Sequence, residues 1–244
     1  MYLQLTTRCN MTCAHCCFAA TTRGDVMDRA TYVDALCLAR ETGDHVTLGG
    51  GEPTVHPEFF AFLDLAIEMF DKGEFEMEPL VVTNGKRTAH AKKLLRYIEE
   101  ERSVYVDLSL DEWHDPINPE VRAEFMALQR RRLNAWGSTR REVVRGGTRT
   151  ANTIVSVGRA KTNGLGTSTV FGYESRCCCE TPVVDPKGDL YSCGCKHIKL
   201  GTIWTPGVLD GYQSDFAHNG GYDRDLPRFH RDDGHTDNET RAEA

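Results

Sequence analysis

Residues 9 to 16 read Cys9-Asn10-Met11-Thr12-Cys13-Ala14-His15-Cys16, which places three thiols at the spacing C-x3-C-x2-C within one short stretch. Thiolate sulfur selects iron–sulfur clusters, zinc or copper(I). A 4Fe–4S cube needs four ligands, so three cysteines from one loop would leave one iron open for another molecule. Zinc motifs usually pair C-x2-C with a second pair of ligands, and x3 followed by x2 fits them poorly. A second group, Cys177, Cys178, Cys179, Cys193 and Cys195, lies in the run CCCETPVVDPKGDLYSCGC over residues 177–195. Asp185-Pro186-Lys187-Gly188 is a turn by its own chemistry, so the thiols on its two sides are expected to come together. Their ligand could be a second iron–sulfur cluster or zinc, since tetrahedral sulfur sites suit both. Cys17 adjoins the first group without an assignable role.

The elements that must position these thiols alternate strand and helix. Tyr2–Thr7 alternates and delivers the chain into the first cysteine loop. From Met27 to about Glu41, Ala30, Val33, Leu36 and Cys37 fall on one helical face, with Gly43 as a stop; Cys37 is read there as a small core hydrophobe. A second strand, His45–Leu48, runs into Gly49-Gly50-Gly51-Glu52-Pro53, where glycines let a backbone come close to a ligand or make a tight turn. Pro57 opens a helix with Phe59, Leu63, Ala66 and Phe70 on one face, ending at Gly73. The third strand, Leu80–Thr83, ends in Thr83-Asn84-Gly85, and its helix buries Ala91, Leu94, Leu95 and Ile98. The fourth, Val104–Leu110, ends in Ser109-Leu110-Asp111, with His114 close behind. Asn118-Pro119 opens a helix through Trp136, with Val121, Phe125 and Leu128 inward. Glu142–Arg145 and Thr153–Val157 are two further β-prone runs, the second leading into Gly158-Arg159-Ala160. Repeated strand–helix units imply mostly parallel pairing, with ligands at the carboxyl ends of the strands.

The chain has 244 residues, enough for one sizeable core and a small appendage. A formal net charge of −7 argues against a general polyanion binder. No run of about 18 apolar residues exists and the start lacks a signal-peptide pattern, so no membrane association and a cytoplasmic location are expected. Ten cysteines in a reducing compartment point to metal sites rather than disulfides. From about Asp210 the chain is rich in Asp, Gly, His, Asn and Arg, and is expected to be a solvated, partly disordered tail.

The first cysteine run resembles the signature of the radical S-adenosylmethionine (SAM) superfamily, C-x3-C-x-(aromatic)-C, with His15 in the aromatic slot. Gly50-Gly51-Glu52-Pro53 matches, letter for letter, the segment that in this superfamily binds the amino group of SAM through backbone carbonyls and the Glu. The resemblance implies that Cys9, Cys13 and Cys16 hold a 4Fe–4S cluster whose open iron is chelated by SAM. It further implies that His15, Gly50, Gly51, Glu52, Pro53, Thr83, Asn84, Ser109, Asp111 and Arg159 lie about SAM, Arg159 near its carboxylate. Asp111 and His114 are the candidate catalytic groups. Residues 177–195, followed by Leu200-Gly201-Thr202-Ile203-Trp204, resemble the start of a twitch/SPASM extension, in which Cys177, Cys178, Cys179, Cys193 and Cys195 are candidate ligands of an auxiliary 4Fe–4S cluster. No cysteine follows Cys195, so the family's later ligands are missing.

The fold so implied is α/β: a partial (β/α)6, TIM-like barrel over residues 1–165, a cysteine-rich β-hairpin extension over 166–209 and a polar tail over 210–244. The activity implied is reductive cleavage of SAM to a 5′-deoxyadenosyl radical that abstracts hydrogen from a substrate, in an oxidoreductase, isomerase or transferase reaction. An electron donor such as flavodoxin or ferredoxin would serve it. Enzymes of this type modify peptides, sugars or nucleotides; the basic clusters Arg130–Arg132, Arg140–Arg149 and Arg159–Lys161 suit an anionic substrate, including nucleic acid. The reading from another class is a zinc- or iron–sulfur-binding interaction module without turnover.

Overall fold

The computed structural model describes residues 1–43, 45–100, 102–136, 144–146, 154, 156–166, 181–194, 196 and 198–210, the stretches 129–136 and 144–146 as backbone alone. Five strands, β1 (Tyr2–Thr6), β2 (Thr47–Gly50), β3 (Leu80–Thr83), β4 (Tyr105–Leu110) and β5 (Val144–Gly146), pair in parallel. Helices α1 (Arg29–Glu41), α2 (Phe59–Asp71), α3 (Thr88–Glu99) and α4 (Pro119–Trp136) make the crossovers between them. With β6 (Val183–Val184), β7 (Asp189–Tyr191) and β8 (Lys199–Thr202), the sheet order is β5-β4-β3-β2-β1-β6-β7-β8. The first five strands therefore stand in chain order, each crossover stepping one strand in the same direction. A doubly wound sheet reverses direction at its centre; a barrel does not, and this is the winding of a partial barrel.

Strand alternation sorts the two faces of the sheet. Leu3, Leu5, Leu48, Val81, Val106 and Leu108 join one buried cluster with Phe59, Phe62, Leu63, Leu94 and Phe125 from the helices. The residues that alternate with them, Tyr2, Gln4 and Thr6 on β1 and Asp107 and Ser109 on β4, give the opposite face a polar character unusual for a layer meant only for packing. Within the helical layer Tyr32 stacks on Phe62 with ring centroids 4.1 Å apart, and its hydroxyl donates to the Phe62 carbonyl at 2.8 Å.

Two expectations are corrected. The buried stripe of α1 is Thr31, Tyr32, Ala35, Leu36 and Ala39, whereas Ala30 and Val33 are exposed and Cys37 is half-buried. The reason is that Asp28 caps the helix, accepting from the Thr31 amide at 2.7 Å, and Met27 is tied to β1, which sets the rotation of the first turn. Of the run Thr153–Val157, the described residues Ile154, Ser156 and Val157 lie in no strand, and Gly158–Thr162 forms a short helix, α5. The cysteine-rich region contributes a hairpin of β6 (Val183–Val184) and β7 (Asp189–Tyr191). It closes as expected over Asp185 and Gly188, the latter at φ +77°, and β8 (Lys199–Thr202) continues it. The hairpin is continuous with the parallel sheet: β6 pairs in parallel with β1, Tyr2 against Val183 and Leu3 against Val184. The second edge of β1 would otherwise leave backbone groups unpaired, and the Tyr2 amide donates to the Pro182 carbonyl at 2.8 Å.

Replacing Phe62 by Ala removes a ring that is 1% exposed together with its stack on Tyr32. Urea unfolding of Phe62→Ala is expected to show a loss of about 3–5 kcal/mol, and an unchanged midpoint would show that this stack does not carry the core.

Candidate metal and cofactor site

The cysteine loop leaves the carboxyl end of β1 and returns to α1 as two laced arms. The Cys9 amide donates to the Thr21 carbonyl at 2.6 Å, the Thr7 amide to the Asp25 carbonyl at 3.1 Å, and Arg8 Nε to the Gly24 carbonyl at 2.8 Å. Cys9, Met11 and Ala20 form a small apolar cluster of their own, against which Cys13, Cys16 and Ile117 pack, and the three thiols are free. Burial pushes the Cys9 thiol up, and pushes Cys13 up to about 11, with the neighbouring Cys9 and Cys16 charges adding to it. Three thiolates so close together repel one another unless a cation sits among them. A donor set of three soft sulfurs against one apolar wall fits an iron–sulfur cube with an iron to spare, and suits oxygen-seeking cations poorly.

The glycines after β2 serve close approach between segments of this chain. A Cβ on Gly49 would lie 2.0 Å from the Tyr2 hydroxyl, one on Gly50 2.4 Å from the Thr6 carbonyl oxygen, and one on Gly51 2.1 Å from the Arg8 carbonyl oxygen. Gly50 also has φ +136°, a conformation side chains rarely adopt. The run therefore lets β2 and its extension lie flush on β1 and on the stem of the cysteine loop. The Gly50 amide donates to the Tyr2 hydroxyl at 2.7 Å, and the Glu52 amide to the Arg8 carbonyl at 2.9 Å.

Glu52 is 1% exposed and its carboxylate gathers the ends of β2 and β3. Oε1 accepts from the Thr54 amide at 3.2 Å, the Thr54 hydroxyl at 2.6 Å and the Thr83 hydroxyl at 2.7 Å; Oε2 accepts from the Asn84 amide at 2.7 Å. Burial holds this carboxyl above the ordinary carboxylate range, and the bonds from Asn84, Thr54 and Thr83 offset that only in part. No cationic side chain forms an ion pair with it among the described residues. Oε2 has a lone pair to spare, so an ammonium group is a fitting further partner. Pro53, also buried, begins a single 3₁₀ turn, Pro53–Val55, that Glu52 caps. Asn84 then carries the connection to the loop, its Nδ2 donating to Asn10 Oδ1 at 2.9 Å and lying 3.6 Å from Cys9 Sγ.

At the end of β4, Asp111 stands between two imidazoles. Its Oδ1 accepts from the Trp113 amide at 2.9 Å and from His114 Nδ1 at 2.7 Å, and its Oδ2 lies 3.5 Å from His15 Nε2. The side chain is 1% exposed. Burial raises its carboxyl, but the His114 bond and charge, the Trp113 amide and His15 outweigh that and hold it below the ordinary range. With a carboxylate on Nδ1, the neutral His114 ring keeps its proton there and presents Nε2 as an acceptor. Ligand atoms of His15, Asp111 and His114 lie within 4.8 Å of one another, so the segments that follow β1 and β4 bring one polar triad together at the sheet's carboxyl edge. Ser109 lies half-buried near the end of β4.

Arg159 lies at the start of α5 and not at a strand end, and its guanidinium donates to the carbonyls of Cys13, at 2.8 Å, and of Ala20. Of the second cysteine group, Cys193 is buried beyond β7, at 1% exposure, while Cys177, Cys178, Cys179 and Cys195 lie outside the described residues. Three groups escaped the sequence reading. Tyr2 is a half-buried ring whose hydroxyl receives the Gly50 amide, Asn10 supports Asn84, and Asn163 Nδ2 donates to the Ala14 carbonyl at 3.0 Å. Only Asn163 had a signal, since Thr162-Asn163-Gly164 repeats the letters of Thr83-Asn84-Gly85.

Glu52→Gln turns one acceptor of this network into a donor facing donors. Equilibrium unfolding is expected to show a loss of about 1–3 kcal/mol; full stability would mean that the four bonds do not act on an ionised carboxylate.

The sequence model of the radical SAM superfamily matches residues 3–161. No match to an individual curated protein is found. Among solved structures the chain is similar to BtrN in complex with AdoMet and 2-DOIA, at 16% identity and a TM-score of 0.54, over 89% of this chain and 81% of that one. It is similar also to a histidine-tagged anSMEcpe with bound AdoMet, at 15% identity and a TM-score of 0.52, over 88% of this chain and 81% of that one. At such identities the likeness is one of fold, that of the partial barrel. The matched segment begins in β1 and ends inside the helix that grips the cysteine loop, and on that match the chain belongs to the radical SAM superfamily.

Proposed function

We propose that this chain is an enzyme that binds a 4Fe–4S cluster through Cys9, Cys13 and Cys16, with SAM on the open iron, and uses them to abstract hydrogen from a substrate. The observation that carries the reading is the single network running from Cys9, the first of three free thiols, through Asn84 to Glu52. When bound, cluster and SAM together supply a 5′-deoxyadenosyl radical at the expense of one electron, taken from a flavodoxin- or ferredoxin-class donor. AdoMet bound in two proteins of the same fold supports the SAM site.

The chain's own residues would do the following. Glu52 Oε2 accepts from the SAM amino group while Gly50, Gly51 and Pro53 shape the backbone beside it. Thr83 and Asn84 hold Glu52 and Cys9 in mutual register. His15, Ser109 and Asp111 offer hydrogen-bonding groups to the adenosyl part from the other side of the mouth, and Arg159 backs the cysteine loop. His114, oriented by Asp111, handles a proton of the substrate through Nε2. The low exposure of Glu52 and Asp111 keeps water from the reacting centre. The substrate is a peptide, sugar, nucleotide or nucleic acid; one structural neighbour is in complex with AdoMet and 2-DOIA and another has bound AdoMet.

A second 4Fe–4S cluster would take its ligands from Cys177, Cys178, Cys179, Cys193 and Cys195, with zinc as the other occupant. The β6–β7 hairpin supports this, because it separates the first three of these cysteines from the last two as the arms of a turn would.

Two experiments test these readings. Cys9→Ala, Cys13→Ala or Cys16→Ala, each folded and anaerobically reconstituted, is expected to form no 5′-deoxyadenosine with dithionite and SAM; near wild-type yield would refute the ligand assignment. Wild type is expected to hold about eight irons per chain, dropping to about four when Cys193 and Cys195 are both replaced by Ala. Iron for one cluster plus one zinc would make the second site structural.

A further inference from the structure

The cysteine loop has few backbone hydrogen bonds of its own at its tip. The Cys16 amide reaches the Cys13 carbonyl at 3.3 Å and the Ala19 amide reaches the Cys16 carbonyl at 3.3 Å, both long. What holds the tip comes from far along the chain. Arg159 donates three times: its Nη1 to the Cys13 carbonyl at 2.8 Å, its Nη2 to the Ala20 carbonyl, and its own amide to the Cys16 carbonyl at 2.9 Å. Asn163 Nδ2 takes the Ala14 carbonyl at 3.0 Å. Gly158 makes the approach feasible. Its φ is +56°, and a Cβ there would lie 2.1 Å from the Cys17 carbonyl oxygen and 2.8 Å from that of Cys16.

We propose that residues 158–163 form a latch on the cysteine loop, in which Arg159 and Asn163 are positioning residues that fix the ligand geometry and set how firmly, and at what potential, the cluster is held. This goes beyond the reading of Cys9, Cys13 and Cys16 as cluster ligands and rests on it. One planar guanidinium ties Cys13 to Ala20 across the loop while the backbone amide of the same residue holds Cys16, so Arg159 grips two of the three ligand residues at once. A lysine in that place would keep the charge but reach only one carbonyl at a time. The fixed cation behind Cys13 also favours the cluster state carrying one more electron, since charge near a cluster sets its potential. The orientation and the electrostatic effect are therefore separable by substitution.

The test uses the full chain, reconstituted with iron and sulfide, as wild type, Arg159→Lys, Arg159→Gln and Asn163→Ala, with Arg29→Gln as an exposed-arginine control. Circular dichroism checks folding; if Arg159→Gln fails to fold, Arg159→Lys and Asn163→Ala carry the test. Iron release to a chelator and an EPR-monitored reductive titration are the readouts, neither of which needs turnover. Both Arg159 variants are expected to release iron roughly tenfold faster than wild type, Asn163→Ala less so, and only Arg159→Gln to shift the potential downward. Variants that retain iron as wild type does would overturn the latch while leaving the ligand assignment standing. Wild type that takes up no iron would overturn the ligand assignment and the latch together.

Discussion

A carboxylate removed from water must find donors, and the site depends on how Glu52 does so. At 1% exposure it accepts four hydrogen bonds from Thr54, Thr83 and Asn84, and so pins the end of β2 to the end of β3. A buried charge that lost these bonds would cost several kcal/mol, so the strand ends cannot drift apart independently. Asn84 passes the constraint on to Asn10 and Cys9, which makes the position of the first thiol a consequence of the same network. Burial and hydrogen bonding oppose each other at Glu52, which leaves its remaining lone pair in a setting where a positively charged group is strongly favoured.

The loop needs the opposite kind of help. Its thiols turn toward one apolar wall, and its carbonyls are left to be satisfied by donors from elsewhere. A segment about the length of one helical turn provides them, and only because Gly158 permits contact at less than a side chain's distance. Together with Gly49, Gly50 and Gly51 this makes close backbone approach the recurring condition of the site: the chain is drawn tightly around the ligands from the side of β2 and from the side of α5. The hairpin on the free edge of β1 adds a third brace, since the strand that delivers the cysteines is paired on both sides.

Local chemistry made much of the scaffold legible. β3 runs over Leu80–Thr83 and α3 buries Ala91, Leu94, Leu95 and Ile98 as periodicity requires, and α4 spans Pro119–Trp136 between its proline start and the glycine after it. The α1 stripe was misjudged because four apolar letters at helical spacing do not say which side meets the sheet; the Asp28 cap and the tie at Met27 decide that. Arg159 was misplaced for a related reason, since a β-prone run before it suggested a strand end, while its surroundings turned it into a helix that docks on a distant loop.

The sequence by itself determined the chemistry: thiol number and spacing, the Gly-Gly-Glu-Pro segment and the alternation of strand and helix are properties of neighbours along the chain, and neighbours set ligand type and local conformation. Only the tertiary structure decided who holds whom. That Asn163 supports Ala14, that Thr83 shares Glu52 with Thr54, that Asp111 meets both His15 and His114, and that the hairpin is part of the barrel's sheet are pairings made mostly between residues distant along the chain. The physical reason is that a hydrogen bond reports the distance between two groups in space, and that distance is fixed only once every strand has found its place in the sheet.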